Sequence, residues 1–187
     1  MARMAVLVLD MLNDFVTGKL KTDRVARIIK PLQKLVEAAR SHGVPVIYSN
    51  DAHLSTDFEV VERWGDHAIK GSPGSQVIPE LAPEENDFLV EKRVYSGFYE
   101  TRLDSLLRSL YNGMGVETVI LVGVHTHICV RHTAADAFYR GYKIIVASDG
   151  VQAFTRKDHE EGLKYLKDIY SAEMKTVNEI IEEIEQV

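Results

Sequence analysis

Short runs of Val, Ile and Leu alternate with helix-patterned segments along the whole chain, and this alternation restricts the fold more than any other feature. Apolar runs at 5–9, 44–48, 88–90, 118–123 and 143–147, with a shorter one near 173–176, read as strands. Between the first two, Val25, Ile28, Ile29, Leu32, Leu35, Val36 and Ala39 recur at helical spacing, which predicts an amphipathic helix over 23–41. Pro31 falls inside it and should kink it, and Gly43 should end it. Similar spacing predicts helices over 100–111 and from Cys129 into the 139–141 region. Another should follow the capping signal Thr155/Asp158, and a last one carries Ile180, Ile181 and Ile184. Strands that are apolar throughout, rather than at every second residue, must be covered on both faces. The expected fold class is therefore α/β: a three-layer, Rossmann-like fold whose central, mainly parallel six-stranded sheet is sandwiched by helices. One domain over 1–187 accommodates it.

Composition narrows the function. A 45% hydrophobic fraction supplies a core, and a net charge of -6 with no Lys/Arg run longer than two disfavours nucleic-acid binding. The apolar N-terminal run ends at Asp10, too short for a signal peptide or membrane span, and 118–130 is interrupted by two His. These features predict a cytoplasmic protein acting on a small molecule, without a nucleic-acid or membrane partner. A single Cys excludes an internal disulfide and a four-cysteine zinc site.

In parallel α/β sheets, ligands bind beyond the carboxyl ends of the strands. The polar residues with chemical potential sit there: Asp10 after the first run, Asp51 and His53 after the second, Lys92 after the third, and His125 to Cys129 after the fourth. Cys129 opens a predicted helix, where the unpaired N–H groups and dipole favour a thiolate and can hold an oxyanion. Asp10 and Lys92 are the expected base and cation partners of this nucleophile. His132, three residues along the helix, is expected to pack or cap. Asp51-x-His53, with His67 in the long aperiodic segment 54–74, offers carboxylate and imidazole ligands suited to a divalent metal: zinc, or iron or manganese. Glu62, Asp57 and Glu59 compete for a further ligand position. Phe15 and Trp64 are the expected aromatic walls of a substrate pocket, with Phe98 and Tyr99 as weaker candidates.

Asp10-Met11-Leu12-Asn13-Asp14-Phe15, Glu91-Lys92-Arg93 and Thr126-His127-Ile128-Cys129-Val130 together resemble the cysteine hydrolases of the isochorismatase-like superfamily, over nearly the whole chain. Within it, Tyr95-Ser96-Gly97-Phe98, 129–137 and Gly141-Tyr142-Lys143 are most similar to nicotinamidases. The resemblance implies an Asp10/Lys92/Cys129 triad, an oxyanion hole from the backbone N–H groups of His125 and Cys129, and a cis peptide between Val124 and His125. It further implies a metal at Asp51, His53 and His67 that holds a pyridine nitrogen, a thioester mechanism releasing ammonia, a role in NAD salvage, and a homo-oligomer. Leu12 and His127 depart from the Gln and Asp that many relatives carry. The alternative implied by the same superfamily is a hydrolase of an N-carbamoyl compound, a ureide or another small amide.

Overall fold

The computed structural model describes residues 2–186. Six strands form one sheet: β1 (Met4–Leu9), β2 (Val46–Asp51), β3 (Phe88–Lys92), β4 (Thr118–Val124), β5 (Lys143–Gln152) and β6 (Glu173–Lys175). Their order is β3-β2-β1-β4-β5-β6, and every ladder is parallel. β1 is buried along its whole length because it lies in the middle of the sheet with helices on both sides. On one face, α2 (Ala26–Ser41) and α6 (Val177–Glu185) bury Leu32, Leu35, Ile180 and Ile184 against Val6, Val8 and Val122. The opposite face covers Leu7, Val119 and Leu121 with α3 (Leu103–Ser109), α4 (Arg131–Tyr139) and α5 (Arg156–Tyr170). A short helix, α1 (Asn13–Val16), follows β1 directly.

Strand order reverses between β1 and β4, and this is where a parallel α/β sheet opens a crevice. Asp10 leaves β1 on one side of it, and the His125–Cys129 segment leaves β4 on the other. The two strands approach closely at Gly123, whose φ is +103° and where a Cβ would lie 2.0 Å from the Leu9 carbonyl oxygen. Gly123→Ala is therefore expected to destabilise the protein by about 3 kcal/mol or more, since positive φ and a backbone clash act together. Denaturant unfolding measures this directly.

Several boundaries differ from those read in the sequence. α2 starts at Ala26 and keeps its helical path through Pro31, where a kink was expected. The bond that Pro31 cannot make would reach the Arg27 carbonyl, on the exposed side of the helix. β2, β3 and β5 run beyond their apolar stretches. Polar residues continue the ladders, so that Asp51 and Lys92 face each other as register partners. Thr155 caps α5 as expected, and a reciprocal capping box at Thr176/Glu179 opens α6.

Candidate active site

Cys129 lies in a π-helical turn, Thr126–Val130, that precedes α4. The helical path thus begins three residues earlier than the sequence suggested, and Cys129 sits in its first turn with His125 as N-cap. The peptide between Val124 and His125 is cis. His125 accepts hydrogen bonds at its carbonyl from Ile128 and Val130, which closes the turn under the nucleophile. Its own N–H has no acceptor among the described residues.

The three expected strand-end residues converge. The Lys92 ammonium stands 2.8 Å from Asp10 Oδ2 and 3.5 Å from Cys129 Sγ, and it also pairs with Asp51 Oδ1. Asp10 leaves β1 with φ +52°, a left-handed conformation that turns its carboxylate across the crevice. Its Oδ1 accepts the N–H of Asp51 at 2.7 Å, while Oδ2 has an ion-pair neighbour but no aligned hydrogen bond. Asp10, Asp51, Lys92 and Cys129 are all buried, so their charges act on one another with little screening.

Burial and the negative charge of Asp51 push the Asp10 carboxyl up to about 6, against the pull of Lys92. Burial works to raise Asp51, but Lys92 and His53 together outweigh it and hold it at about 2. Burial alone would discharge Lys92; Asp10 and Asp51 outweigh it and keep the ammonium charged. Burial pushes the Cys129 thiol well up, more than Lys92 draws it down. The helix start does not by itself generate a resting thiolate. The arrangement favours the protonated thiol and sets it and the Asp10 carboxylate against the same Lys92 ammonium.

A second cluster shares Asp51 with the first. Asp51, His53, Glu59 and His67 present ligand atoms that all lie within 4.8 Å of one another. His53 Nε2 is 3.1 Å from Glu59 Oε1 and 3.5 Å from Asp51 Oδ2, yet it makes no aligned hydrogen bond. His67 Nε2 lies 3.8 Å from the same Glu59 oxygen. The outer nitrogens are spoken for: His53 Nδ1 faces Asp57 Oδ2 at 3.3 Å, and His67 Nδ1 donates to the Gly65 carbonyl at 2.8 Å. Such partners fix the tautomer that aims Nε2 at a metal. Burial favours a neutral His53, but Asp51 and Glu59 raise its pKa to about 10, a measure of how strongly the site favours positive charge. Two imidazoles, two carboxylates and an orphaned, fully buried Nε2 fit a divalent cation. Of the three residues competing for a further ligand position, Glu59 joins the cluster, Asp57 backs His53, and Glu62 is exposed on the π-helical turn Val60–Trp64. Asp57→Ala should weaken divalent-metal affinity about 10–100-fold by releasing His53, which competition with a chromogenic chelator would measure.

The two residues expected as aromatic walls each pack against other rings, Phe15 beside both clusters and Trp64 one ring further out. Phe15 packs edge-on against His67 (5.8 Å) and His125 (5.7 Å), linking the two clusters. Trp64 stacks on Phe154 at 5.7 Å and donates its indole N–H to the Tyr95 hydroxyl. Phe154, stacked at 3.9 Å on His125, was missed by the sequence reading. Its signal was hidden because β5 extends to Gln152, past the apolar run, so that Phe154 also follows a strand end. Phe98 belongs to the core beside Tyr142, and Tyr99 is exposed. His132 is exposed, bonds the Ile128 carbonyl one turn back and lies 5.3 Å from the Tyr95 ring. A cleft of about 870 Å³ opens on Glu59, Lys92 and Tyr95; the Cys129 thiol lies outside its lining.

Comparison with known proteins decides the family: residues 4–179 match the isochorismatase domain. The chain belongs to the isochorismatase family. Among related structures of this family, the N-carbamoylsarcosine amidase of Thermoplasma acidophilum is 43% identical, with a TM-score of 0.86 over 94% of this chain and 97% of that one. A pyrazinamidase of Pyrococcus horikoshii, solved in complex with zinc, is 27% identical, with a TM-score of 0.83 over 93% of this chain and 99% of that one. By sequence, nicotinamidase 3 of Arabidopsis thaliana is 32% identical over 87% of this chain and 79% of its own. This protein is thus an isochorismatase-family hydrolase, with amidases among its relatives.

Proposed function

We propose that this protein is a nicotinamidase that converts nicotinamide to nicotinate and ammonia through a Cys129 thioester. The observation that carries the reading is Asp51, which ties the Asp10/Lys92/Cys129 group to the four-ligand cluster within one buried site. Cys129 Sγ attacks the amide carbon as its proton passes to Asp10 Oδ2. The backbone N–H groups of His125 and Cys129 receive the developing oxyanion. Collapse breaks the C–N bond, and Asp10 returns the proton to the nitrogen, which leaves as ammonia. Water then adds to the thioester with Asp10 again accepting a proton, the C–S bond breaks as Asp10 gives that proton to sulfur, and nicotinic acid departs and ionises to nicotinate. Lys92 holds the Asp10 carboxylate in place and stabilises sulfur while it carries negative charge. A divalent ion, zinc by ligand chemistry, would be held by Asp51, His53, Glu59 and His67 and would supply a Lewis-acid position for the pyridine nitrogen. Phe15 and Trp64 would flank the ring. The same reading assigns the enzyme to cytoplasmic nicotinamide salvage toward NAD, as a homo-oligomer.

The likeness to an N-carbamoylsarcosine amidase at 43% identity favours a second reading, a hydrolase of N-carbamoyl compounds. Ammonia release from nicotinamide and from N-carbamoylsarcosine, with and without prior chelation, separates the two. Cleavage of nicotinamide that falls at least tenfold on chelation is the expected result. Cleavage of the carbamoyl compound alone, indifferent to chelator, would replace the first reading with the second.

A further inference from the structure

His125 is 3% exposed, and neither ring nitrogen has a hydrogen-bond partner among the described residues. A buried imidazole normally finds at least one, because an unpaired polar atom forfeits its hydration for nothing. Three other rings lie close to it. Phe154 covers it face-on at 3.9 Å, Phe15 meets it edge-on at 83°, and His127 lies 6.3 Å away. Phe15 continues to His67 of the metal-type cluster, and Phe154 continues to Trp64. The ring is thus built into the aromatic wall that runs from the nucleophile's turn to the ligand cluster. Packing against Phe154 fixes its plane and leaves its polar edge without a protein partner. Burial pushes its pKa down to about 3, so the ring is neutral near pH 7 and offers one donor and one acceptor.

We infer that the His125 imidazole is a specificity-determining residue, hydrogen-bonding a polar group of the bound amide other than its carbonyl oxygen. This rests on the reading of the site as a small-amide hydrolase and deepens it. The carbonyl oxygen is assigned to the backbone N–H of the same residue, so main chain and side chain divide the substrate between them. The site then favours planar amides with a further uncharged hydrogen-bonding group beyond the one assigned to the metal cluster, such as a ureido compound or a carboxamide on a ring with two nitrogens. An aliphatic primary amide leaves the imidazole as unpaired as it is in the free enzyme.

The test uses the metal-loaded protein and three amides: pyrazinamide, whose second ring nitrogen lies beside the carboxamide, N-carbamoylglycine and propionamide. His125→Phe keeps a ring for Phe154 to stack on but removes both nitrogens, whereas His125→Gln restores a donor and an acceptor. The expected result is a five- to tenfold loss, in His125→Phe, of the preference for the best substrate over propionamide. That is the fold-change of about one neutral hydrogen bond. It should arise more from KM than from kcat and be largely recovered in His125→Gln, with Cys129 alkylation by iodoacetamide reporting that the site is intact. A preference unchanged within twofold, or a Gln variant no better than Phe, overturns the inference. So does a panel in which no member is cleaved or protects Cys129 from alkylation. Should N-carbamoylglycine prove the best substrate, the nicotinamidase reading falls while the His125 ratio still decides.

Discussion

Asp10→Asn is expected to lower kcat/KM by about 10³-fold or more while leaving the fold intact. General-base assistance is worth about 10²–10⁴-fold where a proton must leave the nucleophile in the transition state. Here the need is acute, because burial holds the Cys129 proton on sulfur. Asn is the least disruptive replacement. It tolerates the φ of +52° and can still accept the Asp51 N–H that Asp10 Oδ1 accepts now. What it cannot do is take a proton at the Oδ2 position. Steady-state kinetics beside a thermal melt would separate lost chemistry from lost structure. A variant within tenfold of wild type would mean that another group removes the proton.

The second large effect concerns stability. Lys92→Met should cost about 3–5 kcal/mol at neutral pH, the scale of removing one partner from a buried ionic group. Lys92 stands between two buried carboxylates, Asp10 and Asp51, and deletion leaves Asp10 with no cation at hand and Asp51 with His53 alone. In the variant the Asp10 pKa, already raised in the folded state, climbs further above the unfolded one. Such a group stabilises the fold below the unfolded pKa and loses that contribution as pH rises. The deficit should therefore be largest near pH 7 and shrink as pH falls toward the ordinary carboxyl range near 4. Denaturant titrations of chelator-treated protein at several pH values would show it. The double variant Lys92→Met/Asp10→Asn should recover part of the loss, because one of the stranded charges is gone.

How much of this was legible in the sequence follows from the physics of each signal. The sheet was readable because a strand buried on both faces must be apolar throughout, as β1 and β4 are. The convergence of Asp10, Lys92 and Cys129 was readable because strand ends mark the crevice, and these residues stood at three of them. Where a ladder resumed past an irregular polar stretch, as β5 does beyond Ser148–Asp149–Gly150, periodicity stopped short and Phe154 went unseen. Glu59 was one of three acidic residues in an aperiodic loop. Only the path of the backbone, with His53 bridged to Ile69 and the Ala68 N–H bonded to Asp14, shows which of them faces His53 and His67. The balance at the thiol was less legible for a related reason: position at a helix start is a sequence property, but burial among carboxylates is a property of the fold.

The central claim is that Cys129 carries the acyl group of nicotinamide during turnover. The most direct measurement is an acid quench of the enzyme with nicotinamide in the steady state, followed by peptide mass spectrometry. A nicotinoyl thioester on the peptide containing Cys129, absent in Cys129→Ala, is the expected result. Turnover that persists in Cys129→Ala, or an acyl group found on another residue, would contradict it.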